Sequence, residues 1–274
     1  MGFESIIEKV HSLPPLPESI QKLQLLFAEG APDTKALVAV IEVDPILTAD
    51  ILAKVNAPLY ALRNNIVSVA QAITLFGINT IRGFAFNSSV NRSFDIDMSP
   101  YNISNAQFSD LCNMQSSLMF QWYMGVDVEL ASSLIPIAFL METGRVVVAE
   151  ELMQSDYMNY FQEELKTCDS IEEVERLYAG VTTAEVNVML FEHWNFDEVF
   201  IETMRYLDSK EEVPQQYRMP VEALRVIRQC INVKTGMTEA SIEEATKMVA
   251  AYGLDTERFK HAAYRVLRKY EEQE

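Results

Sequence analysis

Three histidines, three cysteines and a surplus of carboxylates are the side chains here that could do chemistry. His11, His193 and His261 lie far apart in sequence, and none has a second His or Cys at the spacing of a metal site. His193-Trp194 follows an apolar stripe of Val188, Leu190 and Phe191, which predicts a capping or core imidazole rather than a ligand. Cys112, Cys168 and Cys230 make no CxxC pair and read as buried, reduced thiols. Asp95 and Asp97 suggest calcium, but the loop glycine and remaining oxygen ligands of an EF-hand are missing. There is no phosphate-cradling glycine loop, nucleophile elbow or HExxH pair. The residue types therefore nominate no catalytic group, no metal ligand and no cofactor.

Charge narrows the partners. The 274 residues carry a net charge of −18, with 7 basic and 13 acidic side chains in residues 1–137 and 15 and 27 in the rest. Such a surface repels phosphate backbones and anionic headgroups, so neither nucleic acid nor membrane is an expected partner. The opening MGFESIIEKV is amphipathic and lacks the basic-then-apolar layout of a signal peptide. The longest unbroken apolar run, 134–141, is too short to cross a bilayer. A cytoplasmic protein is expected.

The elements that position these side chains read as helices throughout. The most rule-bound stretch is 44–86. Asp44 before Pro45 predicts an N-cap, and Ile46, Leu47, Ile51, Leu52 and Val55 mark one apolar face. Asn56-Ala57-Pro58 ends that helix. Ser68 and Gln71 form a capping-box pair, Ile73 and Phe76 continue a second helix, and Gly77 is placed for a left-handed cap. Asn79 is expected to cap a third helix through Ile81, Phe84 and Phe86.

Upstream, residues 3–10 predict a short helix. The LPPLP segment at 13–17 has a PxxP spacing but also places Pro17 in the first turn of a helix carrying Ile20, Leu23 and Phe27. Gly30 stops that helix, and Asp33 caps the next through Leu37, Val40 and Ile41. Downstream, Ser104/Gln107, Ser170/Glu173, Thr182/Glu185 and Ser241/Glu244 repeat the capping-box signature. A helix over 129–142 is apolar almost all round and should kink at Pro136. Gly144 breaks it, and Val146-Val147-Val148 would permit a strand that has no visible partner. Glu172, Glu173 and Glu175 read as a solvated first turn. Pro220 fits another first turn, and Asp255 caps a last helix whose Arg258, Lys260, Arg265, Arg268 and Lys269 form a basic stripe. The expected fold is an all-α multi-helix bundle, with the irregular segment after Asn91 as a boundary.

Four of these blocks, LPPLP (13–17), DPILTADIL (44–52), NAPLY (56–60) and SVAQAITLFGINTIR (68–82), resemble in order and spacing the HDOD family, the HD-related output domains of bacterial signalling. The resemblance covers residues 13–208. It implies an N-terminal helical bundle (1–92), a part related to the HD phosphohydrolases (93–212) and C-terminal helices (213–274) outside the family pattern. HD phosphohydrolases hold metal with a His-Asp pair on a central helix. Here the aligned stretch 138–144 puts Met141 at the His and Glu142 at the Asp. The other histidines would fall near Met114-Gln115, Thr183 and Tyr206-Leu207. Glu142 and Asp208 survive as oxygens, but a thioether does not replace imidazole for the metals of hydrolysis.

The resemblance thus implies a non-catalytic signalling module that binds a partner protein or a small anionic ligand. The enzyme alternative is a degenerate phosphohydrolase acting on a nucleotide or cyclic dinucleotide. A third class, DNA binding through a helix-turn-helix at 68–86, conflicts with Ile81, Phe84 and Phe86 where a major groove wants polar groups. Asn56 is the residue the packing pattern does not explain. Its amide either ties two backbone segments together or joins Tyr60, Arg63 and Arg82 in a polar edge for a partner or anionic ligand, in a half of the chain where cations are sparse.

Overall fold

The computed structural model describes residues 3–12, 17–28, 30, 32–93 and 96–272. Residues 13–16 of the proline-rich segment and Asp95 lie outside them. Helices α1 (Phe3–His11), α2 (Glu18–Ala28), α3 (Thr34–Glu42), α4 (Pro45–Val55), α5 (Val69–Phe76), α6 (Ile78–Ser93), α7 (Asn105–Tyr123) and α8 (Val128–Leu140) come first. They are followed by α9 (Gly144–Met153), α10 (Met158–Thr167), α11 (Ile171–Ala179), α12 (Thr183–His193), α13 (Glu198–Leu207), α14 (Gln215–Cys230), α15 (Glu239–Ala251) and α16 (Thr256–Glu271). A two-residue antiparallel hairpin, β1 (Ile231–Asn232) with β2 (Gly236–Met237), follows α14 and pairs Ile231 with Met237. The all-α class holds, and the valine triplet at 146–148 is helical.

The chain divides into two compact units that are not contiguous in sequence. One takes the described residues of Met1–Leu13, Asp95–Cys112 and Met141–Thr256; the other takes those of Pro14–Phe94, Asn113–Leu140 and Glu257–Glu274. The division expected at 92 and 212 is therefore replaced: α1 joins the later helices, and α16 joins the early ones. Sequence order alone conceals this, because helices partner by apolar faces and not by proximity along the chain.

In the unit that holds α2–α6, Asp44 Oδ1 accepts from the Ile46 and Leu47 amides, as a cap before Pro45 should. Leu47, Ile51 and Val55 are buried, whereas Ile46 is 63% exposed and Leu52 only half-buried, so the apolar face is narrower than the pattern predicted. Ser68 Oγ accepts from the Gln71 amide, but Gln71 Oε1 bonds the Val67 amide, one residue before the cap. Gly77 has φ +81° and ψ 160°. That is a region reserved for glycine, but it is not the left-handed helical one that was expected. Asn79 is no cap: α6 already starts at Ile78, and the Ile81 amide bonds the Gly77 carbonyl. The core is aromatic, with Tyr60 4.9 Å from Phe76 and 5.5 Å from Phe120, and Phe84 5.0 Å from Phe139. A Cβ on Gly83 would stand 2.5 Å from Pro136 Cβ, so α6 and α8 approach backbone to backbone there.

In the other unit, α1 is seated by Ile6 and Val10 and by Glu151, which accepts from Ser5 Oγ at 2.9 Å and pairs with Lys9 at 3.1 Å. Three helix starts differ from expectation. The last capping box is Thr238 with Ser241, three residues before the predicted Ser241/Glu244. Ser170 accepts from the Glu173 amide without a reciprocal bond, and Pro220 lies inside α14 instead of its first turn. The stretch Val128–Met153, divided between the two units, has the length and composition of a membrane span, and most of its apolar window is buried inside the protein.

Candidate functional site

Arg145 is the most deeply buried cation among the described residues, and the chain around it is built to hold it. It is the second residue of α9, in a helix whose Val146, Val147 and Val148 are all buried. Its Nε donates to Glu142 Oε2 and its Nη1 to Glu175 Oε1, both at 2.5 Å, with the three side chains 2%, 1% and 0% exposed. Glu175 Oε1 also accepts from the Tyr101 hydroxyl at 2.8 Å and from Thr183 Oγ1 at 2.7 Å. Its Oε2 accepts from the Thr183 amide at 2.7 Å. That amide opens α12, so the helix dipole helps offset the remaining negative charge. The guanidinium also lies over the Tyr101 ring, 5.1 Å from its centroid.

Electrostatics follow from this packing. Burial works against the Arg145 charge, but Glu142 and Glu175 outweigh it and hold the guanidinium firmly protonated. Burial pushes the Glu175 carboxyl up, with Arg145 and the Thr183 donors pulling it back. The Tyr101 hydroxyl is pushed well up, by burial first and by Glu175 second. The centre is a salt-bridged triad closed by neutral donors.

Asn187 fixes the turn that carries the triad. Its Nδ2 donates to the Met141 carbonyl at 2.5 Å and its Oδ1 accepts from the Gly144 amide at 2.8 Å. A Cβ on Gly144 would run into the Thr183 carbonyl, so only glycine lets α9 lie this close to α12.

A second guanidinium stands in the same unit. Arg228 pairs with Asp208 Oδ1 and lies 3.6 Å from Glu172. Burial would raise the Glu172 carboxyl, but Arg228 overrides it and holds it below the usual range. Asp208 Oδ2 is buried and has no hydrogen-bond partner among the described residues. Arg225 caps the end of α13 by donating to the carbonyls of Tyr206, Leu207 and Ser209. Arg145, Glu172, Asp208 and Arg228 line one cleft of about 1360 Å³, whose rim includes Arg205 and Lys210.

Glu142 and Asp208, the carboxylates expected at the degenerate metal positions, each pair with an arginine. Met141 is buried, and its carbonyl is used by Asn187. Among the described residues no group of three or more His, Cys, Asp or Glu is placed to hold a metal ion. A divalent cation at Glu142 would have to displace a covalently tethered one, so these residues do not fit an HD metal centre.

The other predicted site residues separate. Asn56 Nδ2 donates to the carbonyls of Leu52 (2.9 Å) and Ile66 (2.7 Å), and its Oδ1 accepts from the Ile66 amide (2.7 Å). It ties two backbone segments together. Tyr60 is buried, with its hydroxyl 2.9 Å from Ser116 Oγ. Arg82 is also buried, its guanidinium 4.2 Å from the Phe27 ring centroid. Arg63 is exposed. Tyr60 and Arg82 are therefore both buried away from any exposed polar edge, Tyr60 within the aromatic core and Arg82 against half-buried Phe27.

Three further expectations change. Glu175 is not a solvated first-turn residue. Cys168 is half-buried, unlike Cys112 and Cys230; burial lifts the Cys230 thiol to about 12. His193 is exposed at the end of α12, with its ring centroid 6.2 Å from that of His11. Within the basic stripe, Arg258 donates to the Trp122 carbonyl at 3.0 Å.

Sequence reasoning missed Arg145, Glu175 and Asn187, yet a signal existed. Ile171, Val174, Glu175, Tyr178 and Ala179 recur at one helical face, so Glu175 occupies a core position of α11.

The model of the HDOD domain matches residues 13–209. Among solved structures, a virulence factor from Campylobacter jejuni is similar over 97% of this chain and 96% of its own, with 25% identity and a TM-score of 0.60. A Shewanella amazonensis SB2B protein named for an inferred phosphohydrolase activity is similar over 97% of each chain, with 15% identity and a TM-score of 0.68. A Marinobacter aquaeolei VT8 protein named for an inferred role in signal transduction has 19% identity and a TM-score of 0.68; the similarity spans 97% of this chain and 62% of that one. Among curated proteins none matches the sequence.

Proposed function

Since the chain belongs to the HDOD family, whose domain accounts for residues 13–209, we propose that it is a bacterial signal-transduction module that binds a partner protein and hydrolyses nothing. The observation that carries this reading is the Arg145 triad. In an HD hydrolase the aligned carboxylate holds a metal that activates water. Here Glu142 holds a guanidinium, which cannot coordinate a hydroxide or act as a Lewis acid. The helical scaffold then remains as a shaped surface. An acidic, soluble surface suits protein recognition better than nucleic acid, and cytoplasmic location fits the same reading.

The test is hydrolysis of bis(p-nitrophenyl) phosphate and of a cyclic dinucleotide with added Mn²⁺, Mg²⁺ or Fe²⁺. The reading expects no rate above that of buffer. Metal-dependent turnover that disappears in both Glu142→Ala and Asp208→Ala would overturn it in favour of a degenerate phosphohydrolase.

A second reading, a small-ligand sensor, is favoured by the cleft. The cleft has room for a small molecule, and Asp208 Oδ2 in its wall is buried with no hydrogen-bond partner among the described residues. Native mass spectrometry of the purified protein tests it: a retained small molecule, lost in Asp208→Ala, supports this second reading.

A further inference from the structure

Large apolar side chains exposed singly are ordinary on a protein surface; a cluster is not. On the helical pair α10–α11, Tyr157, Tyr160 and Leu177 are 53%, 66% and 65% exposed. Tyr178 stands beside Tyr157, with ring centroids 6.4 Å apart, and 6.1 Å from the ring centroid of buried Phe161. Its hydroxyl donates to Glu164 at 2.7 Å. Tyr160 is three residues after Tyr157 and four before Glu164, so all three share one side of α10. The Tyr178 ring is held: buried Phe161 packs edge-on against it, and Glu164 fixes its hydroxyl.

The same segment is strongly acidic. Residues 156–180 contain seven carboxylates and two cations. One of the carboxylates, Glu175, is consumed by Arg145 inside the protein, while Asp156, Glu163 and Glu164 are exposed beside the tyrosines. Tyrosine faces carry negative charge density and take guanidinium or ammonium groups; neighbouring carboxylates add direct pairing. Tyrosine is also enriched among the residues that dominate binding energy at protein interfaces.

We propose that the tyrosine-and-carboxylate surface of α10–α11 docks an arginine- or lysine-rich segment of the partner protein. Arginine or lysine side chains stack on Tyr157 and Tyr160 and pair with Asp156, Glu163 and Glu164. The inference rests on the partner-binding reading above and gives that partner a chemistry.

The probe is an octa-arginine peptide titrated into the full chain by isothermal calorimetry. Bulk attraction to a −18 protein is separated from the surface itself by charge-neutral variants. Tyr157→Ala/Tyr160→Ala leaves the charge unchanged and should weaken binding about tenfold or more. Glu163→Gln/Glu164→Gln should weaken it more than Glu212→Gln/Glu239→Gln, an equal charge change on exposed residues elsewhere. Thermal melts check that each variant is folded; the replaced tyrosines are exposed. Three results would each overturn the inference: no binding to wild type, undiminished binding by the tyrosine variant, or equal losses for the two glutamine pairs. A change in sedimentation of the tyrosine variant without peptide would assign the surface to a second copy of this chain and also overturn it. None of these bears on hydrolysis, so failure here leaves the non-catalytic reading to its own test.

Discussion

Removing Arg145 would leave Glu142 and Glu175 buried without their cation. Breaking a buried pair from one side typically costs about 3–5 kcal/mol, because the residual charge stays desolvated. Arg145→Met is expected to lower stability by about that amount in urea unfolding, and Arg145→Met/Glu142→Leu/Glu175→Leu to recover only part of it, because Tyr101 and Thr183 then lose the acceptor Glu175. A loss below about 1 kcal/mol for the single variant would mean that the triad is not closed in solution. At this scale the sequence was partly legible. Asn56 could be read as a backbone tie because a helix end before Ala57-Pro58 leaves carbonyls to satisfy, and the observed bonds do that. Tyr60 and Arg82 could not be read: a tyrosine and an arginine look polar in sequence, and only packing shows that one bonds Ser116 while the other covers Phe27. Glu175 was misread because acidic residues favour first turns on general grounds, while its place in the apolar stripe carried the decisive information.

Elements depend on a few positions where geometry admits one residue. Gly77 combines φ +81° with a site where a Cβ would stand 2.5 Å from Ser132 Oγ. Gly77→Val should destabilise by about 1–3 kcal/mol from backbone strain, with the clash in addition; a variant unfolding no earlier than wild type would contradict the α5–Gly77–α6 geometry. Helix α11 offers a pH test. Glu172 is held below its ordinary 4.5 in the fold, chiefly by Arg228 acting against burial. A depressed carboxyl contributes stability above its unfolded pKa and loses it as pH falls through the folded value. Glu172→Gln should therefore be less stable than wild type near neutral pH, with the gap closing as pH drops below 4.5. A gap independent of pH would remove the ion pair from the account. Caps such as Asp33, Asp44, Ser104 and Thr182 were legible because one side chain and one amide suffice to make them. The Thr238 cap was missed because Ser241 also fits a cap pattern three residues later.

For the whole molecule, the helical class and the HDOD pattern were legible because the blocks at 44–52, 56–60 and 68–82 keep their order and spacing. The division into units was not, since α1 and α16 each pack with helices distant in sequence. An internal arginine holds Glu142, the carboxylate that the family resemblance aligns with the metal-binding aspartate of HD phosphohydrolases. Elemental analysis of protein purified without chelators tests it most directly. No stoichiometric Mn, Fe, Zn or Mg is expected, in wild type and in Glu142→Ala alike. One tightly held transition metal per chain, lost on Glu142→Ala, would contradict it.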